Sequence, residues 1–113
     1  MRPIPRQLLI HNITLCSEVN KDEWGDGEPD KGQIVRFVRI EPSAKIVRDK
    51  SGAEIQLSAT LFYDCKNSLP RGLSFVVDSI MMFNEEKYRV KTVEPLYDGR
   101  KLHHYELGLA RDG

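Results

Sequence analysis

Two histidines stand side by side in "GRKLHHYELGLA", residues 99–110. Adjacent imidazoles can hold a metal ion or relay a proton. Whether they do depends on the element that carries them. The stretch alternates as a β-strand does, and successive strand side chains point to opposite faces. On that geometry His103 and His104 diverge and cannot share one ion without a break in the strand. His103 falls on the parity of Tyr105, Leu107 and Leu109, which reads as a hydrogen-bonded core or rim position. His104 falls with Leu102, Glu106, Gly108 and Ala110 and should point outward beside Glu106. His11 is too distant in sequence to complete a site by spacing. Neither a metal nor a cofactor is expected.

Other reactive groups fare no better. Cys16 and Cys65 lie 49 positions apart (65 less 16). Two such cysteines give neither a disulfide framework nor zinc spacing, and they read as reduced core thiols of a cytosolic compartment. No nucleophile elbow and no glycine-rich phosphate loop opening a helix is present. Six of the 17 carboxylates crowd into one polar segment, where burial cannot tune them for acid–base work. These features predict a protein that is not an enzyme. The one stretch that interleaves an aromatic with basic residues, "KYRVK" at 87–91, is better explained as a solvated hairpin face than as a nucleic-acid surface.

The elements that would position these residues are short. The 113 residues suit one domain, taken as 1–113, and 17 basic residues balance 17 acidic ones. A neutral chain has no overall pull on nucleic acid or anionic membrane. No apolar run approaches the ~20 residues of a membrane span, and the N-terminal dozen lacks the apolar stretch of a secretory signal. In "EIQLSATLFYD" Ile55, Leu57, Ala59, Leu61 and Tyr63 share one parity, which predicts a single half-buried strand. "LLIHNITLCSEV" reads as the first strand, "KLHHYELGLA" as the last. "GQIVRFVRIEP" reads as another, stopped by Pro42. "LSFVVDSIMMFNEEKYRVKTVEP" reads as two strands joined at Asn84, the second closed by Pro95. No helical stripe appears. The fold class predicted is all-β: a small antiparallel barrel of about six or seven strands with two long loops.

The first loop, residues 17–32, holds six acidic residues and two lysines, a local charge of −4. It includes Asp22, Glu23, Trp24, Asp26 and Glu28. Its lone tryptophan folds back on the barrel or meets a partner. The second, Pro42 to Glu54, joins two strands and is longer than a tight turn requires. Its centre is Ser43, Ala44, Lys45, Ile46, Val47, Arg48, Asp49, Lys50 and Ser51. Two β-branched residues between charges can pair as a short strand with a copy of the same segment.

The ordered set "RPIPRQLLIHNITL", "VRIEPSAKIVRDKSG", "ATLFYDCKNSLP", "MFNEEKYRVKTVEPLYD" and "LHHYELGL" resembles the minor capsid proteins encoded in the head–tail module of long-tailed phages and prophages of Gram-positive bacteria. The resemblance runs from about Pro3 to Leu109. It departs at Asn84-Glu85, where relatives commonly carry Asn-Gly, and this predicts a longer turn. Such proteins are similar in turn to head-completion, or stopper, proteins. The resemblance implies a ring, twelvefold in the virion and monomeric in isolation, below the portal and adaptor rings at the head–tail junction. It implies assembly in the host cytoplasm, phage DNA passing through the channel, tail proteins docking on the outer surface, and no membrane. Residues 43–51 would form the channel gate, and the acidic loop around Trp24 would touch a neighbouring subunit or ring. The alternatives are another virion ring, such as a tail terminator or adaptor-proximal ring, and a small nucleic-acid-binding barrel.

Overall fold

The structure is a computed structural model that describes residues 2–16, 32–49 and 51–112. Among the described residues, eight strands follow a short 3-10 turn at Arg6–Leu8. They are β1 (His11–Cys16), β2 (Gln33–Pro42), β3 (Ile46–Arg48), β4 (Glu54–Gln56), β5 (Ala59–Asp64), β6 (Ile80–Phe83), β7 (Glu86–Asp98) and β8 (Lys101–Arg111). Six of them close an antiparallel barrel in the order β1-β2-β5-β8-β7-β6, and β3 and β4 form a separate two-stranded sheet. Closure leaves the barrel without a free first or last strand. No helix among the described residues is long and apolar enough to cross a membrane.

Alternation fills the barrel. Ile13, Val35, Val38, Ala59, Leu61, Tyr63, Met81, Val90, Leu107 and Leu109 meet in one core. Tyr63, Phe75 and Tyr105 pack ring to ring beside them, with centroids 5.1, 5.4 and 6.1 Å apart. Val35 and Val38 are three positions apart yet both buried. The reason is a bulge. His11 pairs with Val38 and Ile13 with Val35, so β2 spends one more residue than β1 over that span. Phe37 sits there at φ 60°, which turns the chain and resets its parity. That explains why this strand alternates poorly in sequence.

Several expectations need correction. "EIQLSATLFYD" is two strands, not one: β4 belongs to the small sheet, β5 to the barrel, and Leu57-Ser58 turns the chain between them. Even so, Leu57, Ala59, Leu61 and Tyr63 are all buried, because the parity of burial survives the change of sheet. Residues 73–79 are irregular, with Phe75 buried as a plug. The turn at Asn84-Glu85 is tight, since Phe83 pairs with Glu86 across two residues. Both carry positive φ, 54° and 66°, the primed turn whose twist matches a hairpin. Asparagine and glutamate adopt here what Asn-Gly adopts more cheaply. Pro95 does not end β7, which runs on to Asp98 beside β8. Pairing between β6 and β7 stops at Ile80↔Arg89, so at Pro95 no β6 residue waits for the missing N–H. Finally, Pro42 to Glu54 is not a plain loop: most of it lies in the β3–β4 hairpin.

Candidate functional site

Within the β3–β4 hairpin, Ile46 pairs with Gln56, Val47 with Ile55 and Arg48 with Glu54. Val47 and Ile55 face each other and are half-buried, while Ile46 is 59% exposed. The tip is built on Asp49. Its Oδ1 accepts hydrogen bonds from the Ser51 amide (2.9 Å), the Ser51 hydroxyl (2.8 Å) and the Ala53 amide (3.0 Å). The Ser51 hydroxyl is the main reason its carboxyl titrates below the usual range. Gly52, at φ 87°, takes the left-handed turn that side chains resist. Arg48 donates to the Gly52 carbonyl at 3.0 Å and pairs with Glu54 at 3.5 Å. Side-chain bonds of this kind let a very short sheet hold its shape away from a core.

The root is fixed more firmly than the tip. Ser43 donates to the Ser58 carbonyl (3.0 Å) and Leu57 to the Lys45 carbonyl (2.8 Å). Ser58 ties this base to β8: its amide donates to Leu109 (2.7 Å), and its hydroxyl accepts from Arg111 (3.2 Å). Leu57, 4% exposed, drives its side chain against Gly108, where a Cβ would sit 2.7 Å from Leu57 Cδ1. Of the gate residues named from sequence, eight of the nine are described, all except Lys50. The arrangement is a polar-tipped hairpin on a barrel strap. What it can do chemically is present backbone edges and Ile46 to another surface. The interface residues Asp22, Glu23, Trp24, Asp26 and Glu28 lie outside the described residues.

The histidines are the other departure from sequence reasoning. Leu96 pairs with His104 and Tyr97 with Leu102, so β8 carries an extra residue at His103. That bulge breaks the strict alternation, and the rings meet, with the two Nδ1 atoms 2.8 Å apart. His103 Nε2 lies 2.6 Å from the Arg2 carbonyl, and His104 Nε2 lies 3.0 Å from Glu106 Oε2. A carbonyl and a carboxylate can only accept, and the Nδ1 pair needs one proton between them. All three contacts are hydrogen bonds at once only when the two rings share three protons. Among the described residues no group of three or more His, Cys, Asp or Glu could hold a metal ion. Through the Arg2 carbonyl the pair acts as a tether: with Asp64 and Asn67 it pins the N-terminal strap, residues 2–8. Asp64 accepts the Ile4 amide at 2.9 Å, and Asn67 donates to the Ile4 carbonyl at 2.8 Å. Sequence parity could not find this, because a bulge one residue long leaves no compositional mark. Neither cysteine forms a disulfide among the described residues, and burial pushes Cys65 up from its ordinary pKa.

No curated protein and no solved structure matches the chain. The minor capsid protein family does, over residues 5–109. That span takes in the strap from Pro5, all of β1–β7 and β8 as far as Leu109. A closed barrel whose interior is filled with side chains, matched almost end to end, belongs to the phage minor capsid protein family and is a structural component of the virion.

Proposed function

We propose that this minor capsid protein is a non-enzymatic part of the head–tail connector. It forms a ring below the portal and adaptor, closes the DNA channel after packaging, and offers its other surface to the tail. The observation that carries this reading is the β3–β4 hairpin, exposed along its outer face and anchored by Ser43, Leu57 and Ser58 to the barrel. Identical hairpins around an axis can add edge to edge through backbone bonds. Each such contact is weak, but a closed ring repeats it in every copy. A seal made that way opens without unfolding its subunits. Overall neutrality suits a channel lining, since each lysine or arginine on a phosphate adds salt-sensitive affinity.

The test replaces residues 44–56 with a short glycine–serine linker. Circular dichroism and a cooperative melt should show the barrel intact. Heads assembled with the variant should lose packaged DNA before tail attachment. Heads that keep their DNA would defeat the gate assignment. Tails of uncontrolled length in the null mutant would point instead to a tail-terminator ring, and unjoined heads beside full tails to the stopper.

A further inference from the structure

Because all barrel neighbours are antiparallel, the ends of β1, β5 and β7 and the starts of β2, β6 and β8 share one rim. The β3–β4 hairpin leaves from the opposite rim, after Pro42. At the first rim a cavity of about 420 Å³ opens between the β5 end, the β7–β8 turn and the N-terminal strap. Its walls include Pro3, Cys65 and Leu102, and its cations are Lys66, Arg71 and Lys101. None of these three forms an ion pair among the described residues. Two carboxylates, Asp64 and Asp98, share the cavity and offset part of this charge, leaving three cations against two anions in its lining. Asp64 is fully buried, and its oxygens take the amides of Ile4, Lys66 and Asn67. Asp98 already has a partner of its own. Charge density so placed calls for an anionic group with an apolar part that can enter the cavity.

The chain itself encodes such a group. "KDEWGDGEPD", residues 21–30, has five acidic residues, Asp22, Glu23, Asp26, Glu28 and Asp30, and its tryptophan is the chain's single one. We propose that the Lys66–Arg71–Lys101 cavity docks this acidic, tryptophan-bearing stretch of a neighbouring copy. The proposal rests on the ring reading above and names its lateral contact. Two features favour a neighbour. Cys16 and Gln33, which bracket the stretch, lie at the same rim as the cavity, so barrels standing side by side in parallel bring the two level. In the barrel order, however, the β1–β2 pair lies across from β8 and β7. A stretch leaving one side and a receptor on the other make a head-to-tail contact, the kind that closes into rings. Tryptophan in a cavity with charges around its mouth is how small interfaces concentrate their affinity.

The experiment uses the full chain carrying Trp24→Phe as receptor and a synthetic peptide of residues 19–31 as probe. Tryptophan emission then reports the peptide alone. We expect a saturable blue shift that weakens as salt rises. Each of Lys66→Glu, Arg71→Glu and Lys101→Glu, all at exposed positions, should weaken binding roughly tenfold by turning attraction into repulsion. No saturable binding, or binding indifferent to the three reversals, overturns the proposal. So does binding of a DNA duplex in place of the peptide. If the unaltered chain shows a concentration-independent blue shift and excludes the peptide, the stretch docks in its own chain and the neighbour contact is wrong. Each of these failures leaves the DNA-retention result on hairpin-replaced heads untouched, so the two readings fall separately.

Discussion

Gly108 is where the hairpin's root and the barrel wall touch, and replacing it by alanine tests whether they are mechanically one body. A Cβ there would lie 2.5 Å from Thr92 Oγ1, 2.7 Å from Leu57 Cδ1 and 3.2 Å from Leu57 Cδ2. Real contacts do not come so close, so both neighbours must move. Overpacking a buried strand costs about 1–3 kcal/mol. Moving Thr92 also lengthens its 3.1 Å bond from the Gly108 amide, worth about 1 kcal/mol. Gly108→Ala should therefore destabilise by about 2–4 kcal/mol. Leu57→Ala alone should cost about 2–4 kcal/mol through the cavity it leaves. Together they should cost less than their sum by about 1–2 kcal/mol, because truncating Leu57 makes room for the new methyl. Urea denaturation of the four chains gives the cycle, and hydrogen exchange at Val47 and Ile55 shows whether the hairpin loosens with it. A Gly108→Ala loss under about 0.5 kcal/mol, or strict additivity, would refute a root held by this contact.

Glu85→Gly should stabilise the barrel by about 0.5–1 kcal/mol, because glycine enters the positive-φ position of the β6–β7 turn without strain; a melt lowered by this exposed change would mean the turn is not as described. His11 gives a pH dependence. Its Nδ1 accepts the Ile40 amide at 3.0 Å, and burial first, then Arg39, lower its pKa from the ordinary 6.5. A lowered folded pKa means the unfolded chain takes up its proton first, so the contribution is complete above pH 6.5 and is lost as pH falls below it. The melting temperature should drop between neutral pH and pH 5, and His11→Gln should remove that part of the slope. A slope unchanged in the variant would show that other groups carry it.

The barrel was legible in the sequence because period-two burial is the same signal in any closed sheet. Leu57, Ala59, Leu61 and Tyr63 point inward whether or not the strand pauses at Ser58. What escaped was every feature that depends on one residue of register. The bulge at Phe37 made β2 look irregular, and the bulge at His103 brought together two rings that parity had sent apart. The hairpin was singled out by length and β-branched content, yet its own pairing was missed. Val47 and Ile55 lie eight positions apart (55 less 47), and the turn between them relies on Asp49 side-chain bonds that composition does not advertise. The cationic cavity was invisible for another reason. Lys66, Arg71 and Lys101 are ordinary surface residues until β5 and the β7–β8 turn bring them to one rim.

The two rims are built to different ends, and the difference follows from where polar bonds are buried. At the cavity rim a completely buried Asp64 gathers three backbone amides, Ser68 gives its hydroxyl to the Phe37 carbonyl, and the histidine pair holds the Arg2 carbonyl. Breaking those of the buried Asp64 or Ser68 leaves a desolvated polar group without a partner, at about 1–3 kcal/mol each, so this rim keeps one shape. At the hairpin rim the bonds of Asp49, Arg48 and Glu54 are exposed and exchange readily with water. There the tip can yield while Ser58 and Leu57 hold the root. A fixed rim at one end and a compliant hairpin at the other is the division that the proposed gated ring would use: lateral contacts on the part that keeps its shape, and a central element that moves without disturbing them.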